Sequence, residues 1–142
     1  MRRGEIPSLP DSPEKEDARM TIIDAINLID SRKPNVFTRS DKIRWLSQCD
    51  YQIQREVVAT HEPQPETHFS GYDGDTSDTM ELIAPAPYDE LYVYWLEAQM
   101  DYANAEYARY NNSISQYNNT FAAFANWYNR SHTPKSASIV YF

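Results

Sequence analysis

From Val93 to Tyr128 apolar residues recur at strict three-then-four spacing, and nearly every late one is aromatic. The rungs are Val93, Leu96, Met100, Ala103, Tyr107, Tyr110, Ile114, Tyr117, Phe121, Phe124 and Tyr128. That spacing keeps one narrow seam of a helical segment turned toward a partner helix. Between the rungs stand Asn104, Asn111, Asn112, Ser113, Ser115, Gln116, Asn118, Asn119, Thr120, Asn126 and Asn129. Asn and Ser are poor helix formers, so propensity alone does not select them. A solvated helix face is ordinarily laced with Glu and Lys. A Tyr/Asn/Ser face suits contact with protein, because Tyr adds area and a hydrogen bond at low entropic cost.

The chain has 142 residues, enough for one domain with a core. Its nine prolines fall mostly before residue 88, and its three glycines are Gly4, Gly71 and Gly74. Helix is therefore expected in the centre and toward the end, a bundle of three to four helices in a mainly α fold. No apolar run is long enough to span a membrane. A single cysteine, Cys49, excludes an internal disulfide and fits a reducing compartment. The net charge is -8, and from Glu56 to Glu106 acids occur with no Lys or Arg among them. Such a stretch repels nucleic acid rather than gripping it, and would suit a passage through which a polyanion slides.

Residues 1–19 (MRRGEIPSLPDSPEKEDAR) are rich in Pro and charge and read as an extended tail. Thr21-Ile-Ile-Asp24 has capping-box form and opens a helix from about Thr21 to Arg32, ended by Pro34. A second box, Thr38-Arg-Ser-Asp41, opens a helix to near Thr60, with Ile43, Leu46, Ile53 and Val57 inward and Cys49 or Asp50 at the missing rung. Trp45 lies off that stripe, packed beneath a neighbouring element or against another subunit. Arg32, Lys33, Arg39, Lys42 and Arg44 form the one basic patch, complementary to the acidic middle of an adjacent copy.

Residues 61–84 read as an arm with β-hairpin character: Met80–Ile83 as a short strand and Phe69 and Tyr72 on the other limb. Pro87 sits near the start of the third helix, with Asp89 and Glu90 suited to its first turn. Phase favours one continuous helix thereafter. Its length, roughly 60 Å at about 1.5 Å per residue, is too great for a domain of this size. A break at Ala103-Asn104-Ala105, with Asn104 capping a fourth helix, is therefore expected. The folded region spans 20–131, and 132–142 form a second extended tail ending in four apolar residues, Ile139, Val140, Tyr141 and Phe142.

No catalytic or metal motif is present. Asp73-Gly-Asp75-Thr-Ser77-Asp78 starts like a calcium loop but has Asp78 where Gly belongs and Ala84 where Glu belongs. No nucleophile–base pairing is apparent. The expectation is a binding protein without catalytic residues, metal or cofactor.

Lys42-Ile-Arg-Trp-Leu46, Phe69-Ser-Gly-Tyr-Asp73, Pro87-Tyr-Asp-Glu-Leu-Tyr92 and Glu106-Tyr-Ala-Arg-Tyr-Asn-Asn112, with Asn126-Trp-Tyr-Asn-Arg130 and Thr133-Pro-Lys135, occur in order. In that order they resemble the head-to-tail connector (adaptor) proteins of long-tailed bacteriophages and related prophages of Gram-positive bacteria. The resemblance covers about residues 20–136, and residues 1–19 depart from it. It implies a non-enzymatic, mostly helical subunit of the virion neck, assembled in the host bacterial cytoplasm into a ring of commonly twelve copies. That ring would sit under the portal protein, bind a stopper or tail-completion protein below, and let DNA pass without sequence-specific binding.

On this resemblance Ile139, Val140, Tyr141 and Phe142 are expected to dock on the portal. Asp73, Asp75 and Asp78 are expected in an arm lining the lumen or reaching a neighbour. Arg39, Lys42, Arg44, Trp45, Tyr72, Tyr92 and Tyr94 are the expected inter-subunit contacts. The alternative is a small cytosolic helical regulator that binds a partner helix through its aromatic seam.

Overall fold

The computed structural model describes residues 18–135. Ile139 to Phe142, expected to dock on the portal, lie outside them. Strand β1 (Arg19–Thr21) leads directly into helix α1 (Ile22–Arg32), and both capping boxes form as the sequence reads. Thr21 Oγ1 accepts from Asp24 N at 3.2 Å while Thr21 N donates to Asp24 Oδ2 at 3.1 Å. Thr38 and Asp41 repeat the exchange at the head of α2 (Arg39–Glu56). Each box satisfies two amide donors that the first turn otherwise leaves unpaired. Helix α2 ends four residues earlier than expected, and a 3-10 turn (Val58–Thr60) completes the segment.

Helix α3 (Glu90–Ala103) is the centre of the molecule. Leu91, Tyr92, Val93, Leu96, Ala98 and Met100 are all fully buried, because α1, α2 and α4 (Tyr107–Ser131) each pack against a different side of it. The long aromatic stripe breaks where length demanded. Asn104 closes α3 by donating its amide to Met100 O, and Ala105 takes the left-handed φ of 59° that reverses the chain. Asn104 thus caps the end of α3, not the start of α4, whose N-cap Glu106 offers no side-chain bond.

The break divides the stripe. Val93, Leu96 and Met100 enter the core, whereas Ala103 and Tyr107 are exposed. In α4 only Tyr117 and Phe124 are buried, with Ile114, Phe121 and Tyr128 packed against the cluster from its edge.

Two small antiparallel sheets finish the fold. Strand β3 (Glu81–Pro85) forms where a strand was expected, but its partner is β1, with Arg19 opposite Pro85 and Thr21 opposite Glu81, and not the Phe69–Tyr72 limb. Phe69 and Tyr72 instead lie edge-on, at 5.3 Å, with Phe69 also against Tyr51 of α2 at 5.0 Å. Strand β2 (His61–Glu62) pairs with β4 (Thr133–Pro134), which ties the end of α4 back to the end of α2.

Candidate interaction surfaces

Asp50 is fully buried at the centre of α2 and gathers three donors from three separate elements. Tyr92 Oη of α3 donates to Oδ1 at 2.6 Å, while Tyr72 Oη of the arm donates to Oδ2 at 2.5 Å and Ile83 N of β3 at 3.2 Å. Tyr92 Oη in turn accepts from Ala84 N at 2.7 Å. Burial pushes the Asp50 carboxyl up to about 6, against the three hydrogen bonds that pull it down. The knot holds the arm and β3 onto the bundle. It was not foreseen, although Asp50 was one of two candidates for the empty rung. Cys49, the other, is also fully buried. Its Sγ lies 3.9 Å from Tyr117 Oη, and burial pushes its thiol up, which leaves it unreactive.

The residues expected between subunits are largely spent within one chain. Tyr92 belongs to the knot, and half-buried Tyr72 gives its hydroxyl to the same carboxylate. Trp45 is 7 % exposed, packs edge-on against Phe37 at 5.2 Å, and its carbonyl accepts from Trp95 Nε1 at 2.8 Å. Lys42 is 5 % exposed with its Nζ 2.8 Å from Asp30 Oδ1. Tyr92, Trp45 and Lys42, expected to meet a neighbouring copy, are thus buried within the one chain, Trp45 in the first of its two expected placements, beneath a neighbouring element. Tyr94, half-buried, lies under the Arg32 guanidinium. Arg44 pairs with Asp41 and stays largely exposed.

Part of the basic patch, expected to face the acidic middle of an adjacent copy, meets that stretch within the same chain. Arg32 faces Glu90 and Glu97, and Lys33 faces Asp101 and Glu106. Arg39 clamps the arm: its Nε and Nη2 donate to Asp78 Oδ1, and the guanidinium also reaches the carbonyls of Gly74 and Thr76. Asp73 Oδ1 accepts from Asp75 N at 2.8 Å and so folds its own turn. Gly71 anchors the arm's other end at φ +88°, where a Cβ would stand 2.7 Å from the Tyr51 ring. Asp73, Asp75 and Asp78 are thus together on an exposed arm, with two of the three already engaged. No cluster of three or more His, Cys, Asp or Glu among the described residues could hold a metal ion.

Two surfaces stand out among the described residues. The outward side of α4 presents Asn112, Ser115, Asn118, Asn119, Ala122 and Asn126, all exposed, and no charged residue stands between Arg109 and Arg130. The second is a cavity of about 730 Å3 between the arm, β3 and the end of α4, walled by Phe69, Tyr72, Phe124, Trp127 and Tyr128. His132 stacks flat on Tyr128 at 3.7 Å at its edge. No helix among the described residues is long and apolar enough to cross a membrane. Comparison with family models, curated proteins and solved structures finds no match to this chain.

Proposed function

We propose that this chain is a structural subunit that completes its burial against identical copies, as a head-to-tail connector ring of a long-tailed phage does. One observation carries the proposal. Helix α4 has 25 residues, yet only Tyr117 and Phe124 are buried, and its outer side is polar without charge over nearly its whole length. A solvent-facing helix gains solubility and pairwise stabilisation from Glu and Lys at i and i+4. A face of Asn, Ser and Ala forgoes both, and instead offers amide hydrogen bonds and small side chains to a neighbouring surface. Side-by-side packing through such a face is heterologous, so it closes into a ring where the rotation permits.

The order of resembling segments supplies the context: a virion-neck ring under the portal, contacting a stopper or tail-completion protein, with DNA passing through. Asp75 is the freest probe of a lumen, since Asp73 and Asp78 already serve the arm. The regulator alternative has less support, because the seam it would use is taken by α3; Trp95 and Tyr117 lie 5.0 Å apart in that contact.

Electron microscopy of the chain mixed with the portal protein of its phage tests the proposal. A ring of copies beneath the portal is expected. A complex of one copy with one partner, or none, would count against it. Deleting 136–142 should weaken that portal binding if Ile139–Phe142 dock there, and unchanged affinity removes them from the mechanism.

A further inference from the structure

The cavity beside the arm has a character distinct from the α4 face. Its walls are rings: Trp127, Phe124 and Tyr128 from α4, Phe69 and Tyr72 from the arm. Aromatic walls of this kind receive proline-rich segments, because a polyproline II helix is already extended and loses little entropy when its prolines lie against flat rings. The volume, about 730 Å3, is in the range that holds a short peptide's side chains.

The sequence contains such a segment shortly before Arg19. Pro7, Pro10 and Pro13 recur at every third position in Pro7-Ser-Leu-Pro10-Asp-Ser-Pro13, which places all three on one edge of a helix with about three residues per turn. This segment precedes Arg19, and Arg19 itself lines the cavity. Arg19 pairs with Pro85, another wall residue, so the chain enters β1 along the cavity's β3 side. Pro13 is six residues before Arg19, within about 20 Å of extended chain, and residues 14–18 provide that tether. The other end also passes nearby: His132 lines the cavity just before β4, and the described residues end at Lys135. Its Ile139-Val-Tyr-Phe142 has strand-forming residues and no proline, chemistry that fits pairing along an edge better than stacking in an aromatic slot.

We propose that this cavity is the seat of the chain's own Pro7–Pro13 segment, bound as a polyproline II helix against Trp127, Tyr128 and Tyr72. Docked there, the segment would cover this aromatic cavity. The inference does not depend on ring assembly.

A nitroxide on Ser8→Cys in the full chain tests it, since buried Cys49 leaves one reactive thiol. Nuclear magnetic resonance signals of the Trp127 indole and the Phe124 ring are expected to lose most of their intensity. The Trp45 indole is the internal control. The same label on Pro7→Ala/Pro10→Ala/Pro13→Ala should restore the Trp127 signal. Retained broadening after that replacement would overturn the proline-specific seat. A label at Ser138→Cys that broadens Trp127 while Ser8→Cys does not would give the cavity to the other end. Broadening that appears only on unlabelled copies in a mixed sample would assign the occupant to a second molecule. Each of these three outcomes contradicts the proposal.

Discussion

Helices α2 and α4 pack on the same helix, α3, yet are held in opposite ways. Helix α2 buries residues from Lys42 to Ile53 and carries a carboxylate that three other elements reach for. Its flanks are clamped by Arg39 to the arm and by Lys42 to α1. Helix α4 is seven residues longer, is buried at two positions, and makes few polar contacts with the rest of the chain, notably through Ser113, Tyr117 and Asn129. On the proposed reading, the difference separates what the chain needs to fold from what it leaves for a neighbour. Polar groups on the α2 side are satisfied within the chain, so a mutation there acts on stability. Those on the outer side of α4 are satisfied only by water or by a neighbour.

The most severe way to break the α2 side is Asp50→Ala, which leaves two tyrosine hydroxyls and one half-buried amide without an acceptor. A loss of about 4 kcal/mol is expected, at roughly 1–3 kcal/mol for each stranded group with partial relaxation. Urea unfolding checks it.

The same carboxyl gives a pH signature of about 3 kcal/mol, from roughly two pKa units at 1.36 kcal/mol each. Its folded value of about 6 lies above the unfolded 3.8, so between those limits the folded chain holds a proton that the unfolded chain has lost. Stability from this group is full below 3.8 and is lost as pH rises through 6. Unfolding curves of wild type and Asp50→Asn across pH 4 to 7 should show the slope in the former and its absence in the latter.

A smaller effect comes from Gly71→Ala, which meets both the positive φ and the Tyr51 ring; more than about 1 kcal/mol should be lost. Smaller again is Arg39→Ala. Its contacts are exposed, so global stability should fall by no more than about 1 kcal/mol. Amide exchange across residues 73–79 should nonetheless quicken, since the Gly74 and Thr76 carbonyls lose their donor. Unchanged exchange would show that the arm is held by the Asp50 knot alone.

Local features of this architecture were open to sequence reading; distant pairings were not. Thr21–Asp24 and Thr38–Asp41 announce their helices because a capping box is complete within four residues. The break after Ala103 followed from length alone, although which helix Asn104 closes depended on the left-handed turn at Ala105. Asp50 could be narrowed only to a buried position on a stripe. Tyr72 and Tyr92, its partners, stand 22 and 42 residues away, and nothing local in either tyrosine marks it as a buried donor. The acidic middle was visible as a charge pattern. The pairing of some of its acids with bases of the same chain needed the fold, because α1 and the start of α2 are brought alongside α3 only by packing. The α4 face was legible as composition, since Asn and Ser in place of Glu and Lys contradict helix propensity at those positions.

That face is the part on which the functional proposal stands. Ala122→Arg places a charge in its middle at an exposed site, and should change stability by less than about 0.5 kcal/mol. The direct test is sedimentation of wild type and Ala122→Arg, each mixed with the portal protein that the proposal assigns as partner, with their melting temperatures measured alongside. The predicted result is a large closed assembly for wild type and a free monomer for Ala122→Arg at an unchanged melting temperature. A variant that joins the portal as wild type does, or a wild type that stays monomeric beside it, would contradict the account.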